Sequence, residues 1–507
     1  MANPKGTSMT DELSLDPENW DAMRALGHRM VDEMMTSLET VRERPIWQSV
    51  SEAAREGLDQ PLPRGPEGAA KAYDDFVRHV LPYPMGNIHP RFWGWVIGTG
   101  TPLGALAEML AATMNPNVGG GDHGATWVEA QVLAWCREML GYPADSSGLL
   151  VSGGSMANLV GLAVARNATA GFDVRKEGVA GASGRLMVYG SVEIHSSIQK
   201  AVELLGLGSD SLRLIPVNDA FEIDVAALEA AIAADRGAGH RPICIVGSAA
   251  TVNTGAFDDL DALAEIARRE GMWYHVDGAF GALAALDPDL RPRLRGMERA
   301  DSLAFDLHKW MYIPYEAGCI LVRDAEAHRN AFTLTPGYLV RAARGLSAGE
   351  VWASEYGIQL SRGFKALKIW MSIKEHGIDR YGALVRQNVE QAQYLEALVR
   401  GTPALELLAP VPLNIVCFRY RGDGTHTEPQ LDAMTAELLV RLQEEAVAIP
   451  SLTSVRGRKA IRVAITNHRT RREDLDLLVR EAVRIGGQLE GAGIGSLAEA
   501  GGAPATH

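Results

Sequence analysis

Residues 272–310 read MWYHVDGAFGALAALDPDLRPRLRGMERADSLAFDLHKW, and two runs inside this stretch decide the fold. MWYHV and SLAFDL are apolar and β-rich with almost no alternation, and charged groups stand at their C-terminal ends: Asp277 after the first, Lys309 just beyond the second. A strand apolar at successive positions is buried on both faces, as in a parallel sheet covered by helices. The same kind of run recurs outward on both sides: GLLVSG (148–153), RLMVYGS (185–191), LRLIPV (212–217), PICIVGSAA (242–250) and GCILVR (318–323), with helical stretches between them. Seven such runs predict an α/β fold with a mostly parallel seven-stranded sheet and helices on both faces.

Beyond residue 395 the pattern changes. NIVCFRY (414–420) and KAIRVAI (459–465) are strand candidates, and RREDLDLLVREAVRIG (471–486) is helical, which together predict a smaller C-terminal α+β domain. At the other end, Trp20, Met23, Leu26, Met30, Met34 and Leu38 form one apolar helical stripe after Asp16 and Pro17, a good helix start. The Pro- and Gly-rich link at 61–68 separates this helix from any core of its own, so a partner subunit is the expected cover. The resulting division is 1–88 as an N-terminal helical segment, 89–395 as the large domain, 396–486 as the small domain and 487–507 as a disordered tail rich in Gly and Ala.

The chain of 507 residues is 47% hydrophobic, ample for a large core, and carries 49 basic against 63 acidic residues. A net charge of -14 with no dense basic block argues against nucleic acid as a partner. The N-terminus, MANPKGTSMTDELS, has no apolar core of signal-peptide length and no stretch of about 18 apolar residues occurs, so a cytoplasmic protein without membrane contact is expected. Four cysteines (Cys136, Cys244, Cys319, Cys417) lack CxxC spacing, which fits packed, reduced thiols and no metal centre.

Four elements fall at strand ends, where open parallel sheets bind ligands. Ser152-Gly153-Gly154-Ser155-Met156-Ala157-Asn158 follows a strand and opens a helix, and glycines, a hydroxyl and free N–H groups there suit a phosphate. Such a turn by itself is commonly only a cap, and it lacks the form of a nucleotide loop. His195 follows the second strand, and its flat ring can lie over a planar group. Asp277 ends a buried strand, where a carboxylate needs a partner, and Gly278 and Ala279 leave room beside it. Lys309, 32 residues further on (309 − 277), is a lysine at a buried strand end, the setting that turns an amine into a nucleophile toward an aldehyde. Phosphate turn, stacking ring, carboxylate for a pyridinium and Schiff-base lysine are the groups that pyridoxal 5'-phosphate (PLP) requires.

In HVDGAFG and DLHKW the chain resembles the group II PLP-dependent amino-acid decarboxylases, a fold-type-I family that includes the aromatic-L-amino-acid, glutamate and histidine decarboxylases; the likeness runs from about residue 15 to 485. The resemblance implies that Lys309 carries the cofactor, with His308 beside it, Asp277 on the pyridine nitrogen, Ala279 and His195 on the two ring faces, Ser155 and Met156 at the phosphate, and Thr251 of SAATVNTGAFDDL on the cofactor side. It also implies a mobile loop at Thr335-Pro336-Gly337-Tyr338-Leu339 whose Tyr338 donates a proton, a following segment at LSRGFKALKIW (360–370), and a small-domain strand in IRVAITNHRT. Loss of CO2 from a bound L-amino acid through a quinonoid, with Tyr338 or His195 returning the proton, is the implied reaction.

Family members are homodimers with active sites completed across the interface, and here Met114 to His123 takes the place of the apolar segment that reaches across. That stretch, NPNVGGGD in its middle, is polar where the aromatic-amino-acid branch is apolar, while Phe92, Trp93 and Trp95 supply aromatic surface upstream. Aromatic substrates are therefore the first expectation, with small polar or acidic amino acids as the alternative. Thr126 and Glu129 have the spacing of a capping box for the next helix. An aldehyde synthase that consumes oxygen after CO2 loss is the nearest rival, disfavoured by the presence of both Tyr338 and His195. A phosphosphingosine-type lyase would carry a membrane anchor, and a non-enzymatic relative would have lost Lys309 or Asp277.

Overall fold

The large sheet is built so that successive residues of each strand feed opposite cores. The computed structural model describes residues 14–334, 342–349 and 352–491. Its seven strands are β1 (Ser147–Val151), β2 (Leu186–Ser191), β3 (Leu212–Ile215), β4 (Arg241–Ser248), β5 (Trp273–Asp277), β6 (Ser302–Asp306) and β7 (Gly318–Val322). They lie in the order β1-β7-β6-β5-β4-β2-β3. Strand β7 runs antiparallel to both its neighbours, and the remaining pairs are parallel. Met187, Tyr189, Leu303, Phe305, Cys319 and Leu321 enter one core, while Leu186, Val188, Ala304, Ile320 and Val322 enter the other. Two-sided burial explains why these runs lack polar alternation.

The second core is sealed by the helix Gly154–Thr169, which crosses β4 to β7. Gly161 lets it come close: a Cβ there would stand 2.7 Å from Cε1 of His275 in β5. A smaller antiparallel sheet, β8 (Leu405–Leu407), β9 (Ile415–Tyr420), β10 (Ser451–Val455) and β11 (Arg458–Ala464), has the order β10-β11-β9-β8. Helices Ile378–Arg400, Glu428–Glu444 and Arg472–Gly491 cover it. Strands β9 and β11 match the sequence expectation, whereas β8 and β10 were not foreseen. Strand β10, SLTSV, is half-polar and lies at the edge of its sheet, so it carries no apolar run to betray it.

Residues up to Met85 form a unit apart from that beginning at Gly86. Within it, the helix Trp20–Glu39 begins later than Asp16 and Pro17 suggest. Asn19 is its cap, accepting from the N–H groups of Asp21 and Ala22 at 3.0 Å each, so a side-chain amide satisfies two otherwise orphaned donors. At the C-terminus, the last helix continues through 487–491, where the sequence suggested a tail; residues 492–507 lie outside the described residues. Among the described residues no helix is long and apolar enough to cross a membrane, and all four cysteines are free and buried.

Candidate active site

The loops after β2, β4, β5 and β6 meet at one end of the large sheet around a cavity of about 300 Å³. His195, Thr251, Asp277, Ala279 and Lys309 all line it, so five residues distant in sequence share one wall. A larger groove of about 910 Å³, lined by Arg293, Glu396 and Pro410 among others, contains none of these groups. Ser155 and Met156, in the first turn of the helix Gly154–Thr169, and the buried His308 do not line the cavity. Tyr338 and the Thr335 to Leu339 segment lie outside the described residues.

Lys309 Nζ stands 3.0 Å from Oδ2 of Asp306. Asp306 is 1% exposed, and its other oxygen has no hydrogen-bond partner among the described residues. His308 accepts the Ala317 N–H at Nδ1, 2.9 Å away, which leaves its proton on Nε2. Burial pulls its pKa down to about 4, so the ring is neutral in ordinary buffers. The Tyr315 ring covers it with centroids 4.3 Å apart.

Asp277 accepts from Asn158 Nδ2 at 3.0 Å and from the Ala279 N–H at 3.1 Å. It is 7% exposed, and no cation pairs with it among the described residues. A buried carboxylate open to a cavity with neutral donors alone is suited to a cationic ligand atom. His195 receives the N–H of Ser197 at Nδ1, 3.2 Å away, with the Ser197 hydroxyl at 2.8 Å, so Nε2 carries its proton. Its pKa is lowered mainly by burial and further by Lys309, against the pull of Asp277.

The phosphate expectation can be tested on the helix start. Gly153 is the N-cap and offers no capping side chain, and the first-turn N–H groups of Gly154, Ser155 and Met156 have no acceptor within the helix. A Cβ at Gly154 would stand 3.0 Å from Asp306 Oδ2 and 3.2 Å from the Ala279 methyl. The uncapped turn thus abuts the residues that border Lys309 and Asp277. With an amine, an unpaired carboxylate, a neutral ring donor and an uncapped helix terminus, the donor set fits PLP.

The small domain closes the cavity with Ser451, Leu452 and Thr453 of β10 and Arg462 of β11. Arg462 donates to the carbonyls of Trp95 (3.0 Å), Asn253 (3.1 Å) and Val252, and burial lowers its pKa to about 10. Of the three aromatic residues expected to supply surface, Trp95 lines the cavity and is 56% exposed, whereas Phe92 and Trp93 are buried. Phe92 packs beside Trp95, and the Trp93 indole donates to Thr470 at 3.1 Å.

One further expectation changes. Glu129 does not cap a helix: it is 4% exposed and pairs with Arg362 at 2.5 Å, while His123 stands at the helix start with the Thr126 hydroxyl donating to its carbonyl at 2.7 Å. The glycine run in the Met114 to His123 segment has a packing cause. A Cβ at Gly119 would meet Leu360 O at 2.2 Å, and one at Gly120 would meet the Trp352 ring at 2.2 Å.

Asn158, Ser197, His275 and Asp306 contact the site residues or one another from outside the cavity wall and were given no role of their own in the sequence. Two carried a usable signal. His275 is a polar residue inside a buried strand, and Asn158 opens the otherwise apolar run NLVGLAVAR. Buried polar groups in such runs must be hydrogen-bonded, and here their partners are site residues.

An α/β sheet whose strand ends gather a lysine, an uncompensated carboxylate and a bare helix N-terminus defines the class of PLP-dependent enzymes. The chain belongs to the pyridoxal-dependent decarboxylases: the model of the pyridoxal-dependent decarboxylase conserved domain matches residues 52–421. It is 31% identical over 470 residues to the aromatic-L-amino-acid decarboxylase of Bacillus atrophaeus, covering 92% of this chain and 95% of that one. The histidine decarboxylase of Homo sapiens is 30% identical over 91% of this chain and 69% of its own length. Among solved structures, Oryza sativa TDC with PLP and tryptamine superposes with a TM-score of 0.87 at 27% identity, covering 94% of this chain and all of that one. The protein is a PLP-dependent amino-acid decarboxylase.

Proposed function

We propose that this enzyme converts an L-amino acid with an aromatic side chain to its amine and CO2. The observation that carries the substrate class is Trp95, a half-exposed indole in the wall of the cavity that holds Lys309. An aromatic face there stacks with a planar side chain. The similarity to an aromatic-L-amino-acid decarboxylase points the same way.

PLP, when bound, supplies an electron sink for the negative charge left at Cα as CO2 departs. Lys309 would hold it covalently, and the N–H groups of the Gly154 turn, with Ser155 and Met156, would hold its phosphate. Asp277 would face its ring nitrogen, stabilising charge that develops in the transition state. Ala279 and His195 would cover the two ring faces, Thr251 would border its edge, and His308 would buttress Lys309 from behind. His195 keeps a proton on Nε2 toward the cavity, where it can serve the carboxylate or Cα; Tyr338 is assigned as the proton donor to Cα. We assign residues 89–395 to the cofactor domain and 396–486 to the small domain. The chain is further assigned to a cytoplasmic homodimer, supported by its reduced, buried cysteines and the exposed Trp20 and Met23 of the N-terminal helix.

CO2 release measured against all twenty amino acids tests the reading. Turnover confined to aromatic substrates supports it, and preference for a small polar or acidic amino acid overturns it. An oxygen electrode addresses the aldehyde-forming rival. Amine and CO2 should appear in equal amounts without oxygen uptake by the wild type, and Tyr338→Phe should slow amine formation and divert turnover toward aldehyde.

A further inference from the structure

A continuous hydrogen-bond chain runs beneath the cavity floor, and every link has a definite direction. Trp273 Nε1–H donates to Ser302 Oγ at 2.8 Å; an indole can only donate. The Ser302 hydroxyl, 2.8 Å from His275 Nδ1, is then free to donate there. His275 Nε2 lies 2.9 Å from Asn158 Oδ1, and that acceptor places the His275 proton on Nε2. With its oxygen occupied, the Asn158 amide directs both N–H bonds forward, to Asp277 Oδ2 and Ser197 Oγ, each at 3.0 Å. Ser197 in turn donates to His195 Nδ1 at 2.8 Å.

Asn158, Ser197, His275 and Ser302 are each at most 2% exposed, so water does not compete for these bonds. None of the four reaches the cavity wall. Asp277 sets the order: its carboxylate only accepts, so it faces the Asn158 amide nitrogen, which turns Asn158 Oδ1 toward His275 and keeps the His275 proton on Nε2.

We propose that His275 and Asn158 are positioning residues, a directional relay that locks the Asn158 amide in one orientation and thereby couples Asp277 to His195. The lock supplies the donor to Asp277 Oδ2 and turns the Ser197 hydroxyl onto His195 Nδ1, beside the Ser197 N–H that also keeps the His195 proton on Nε2. Rotation of the Asn158 amide by half a turn would put its oxygen against the Asp277 carboxylate and leave Ser197 without its donor. The Nε2–H of His275 opposes that rotation. Gly161 belongs to the same device, because a side chain there would displace the His275 ring.

The relay rests on the assignment of Asp277 and His195 to the cofactor, so its test has two independent parts. In the cofactor-free protein, ¹⁵N shifts of labelled histidine should show His195 and His275 protonated on Nε2. Protonation of either on Nδ1 overturns the relay whatever the protein catalyses. The second part compares His275→Leu, which removes the donor, with His275→Gln, whose amide can replace Nε2–H. PLP affinity, read by titration of the visible band, should fall about ten- to a hundredfold in the leucine variant, the range for a lost hydrogen bond to a charged group. The glutamine variant should recover most of it. Equal behaviour of the two, whether both normal or both impaired, overturns the proposal, since a packing role would not distinguish them. Failure of the wild type to bind PLP would sink the functional assignment instead, and the histidine tautomers would still decide the relay.

Discussion

Two buried carboxylates on the large α/β unit, Asp277 and Glu129, sit in opposite electrostatic circumstances. Glu129 is matched by Arg362, which is 5% exposed and also donates to the carbonyls of Val118 (2.9 Å) and Leu150 (2.8 Å). The pair ties the 114–123 segment, β1 and the residues after 360 into one joint. Burial still pushes the Glu129 pKa up, against the pull of Arg362. Asp277, by contrast, has two neutral donors and opens onto a cavity. Burial alone therefore does not mark a functional group. The mark is a charge whose compensation is missing from the protein and has to arrive with a ligand.

The difference can be broken by mutation, and the largest effect is expected beside Asp277. Lys309→Ala should lower CO2 release about 10⁴-fold, the scale for loss of a covalent anchor, and abolish the borohydride-sensitive visible band; near-normal turnover would remove Lys309 from its role. Asp277→Asn should cost about a hundred- to a thousandfold in kcat. Its cofactor-free form should melt no lower than the wild type, because the change deletes a buried charge that had no cation. A large drop in melting temperature would place Asp277 with Glu129 as a structural group.

Arg362→Leu should do the reverse. It strands Glu129 in the interior and should destabilise the fold by about 3–5 kcal/mol, read by denaturant unfolding, while the surviving folded fraction binds PLP with wild-type affinity. Loss of affinity without loss of stability would show that the joint is part of the site.

The smallest effect compares two histidines across the same divide. His275 and His328 are buried with pKa values lowered by burial to about 4 and about 3. His328 contacts Ser147 at 2.8 Å, away from the cavity. A folded-state pKa below the unfolded value means that the unfolded chain binds more protons, so the contribution to stability is complete above about pH 6.5 and is lost as pH falls toward about 4. Each neutral ring should account for about 2–3 kcal/mol of stability lost between pH 7 and pH 4.5. Replacing either ring, by His328→Phe or His275→Leu, should flatten the unfolding-versus-pH curve by about one proton. The two should differ in PLP affinity, weakened by the second alone.

All seven strands of the large sheet were legible because two-sided burial writes continuous apolar runs that need no partner information to read. Lys309, Asp277 and His195 were legible because charged or ring residues at the ends of such runs are conspicuous. The small sheet was only half visible: β10 lies at its edge, and its polar Ser451 and Thr453 line the cavity, so it carries no continuous apolar run to announce a strand.

What the sequence by itself determined is the α/β class and the position of the candidate site residues at strand ends, since these follow from local composition and period. Tertiary structure alone decided which charges are compensated. Asn158 reaches Asp277 across 119 positions and Arg362 reaches Glu129 across 233, and no local pattern encodes either pairing. It also decided that Trp95 faces the cavity while Phe92 and Trp93 do not, because the direction of a side chain in an irregular segment depends on what packs around it.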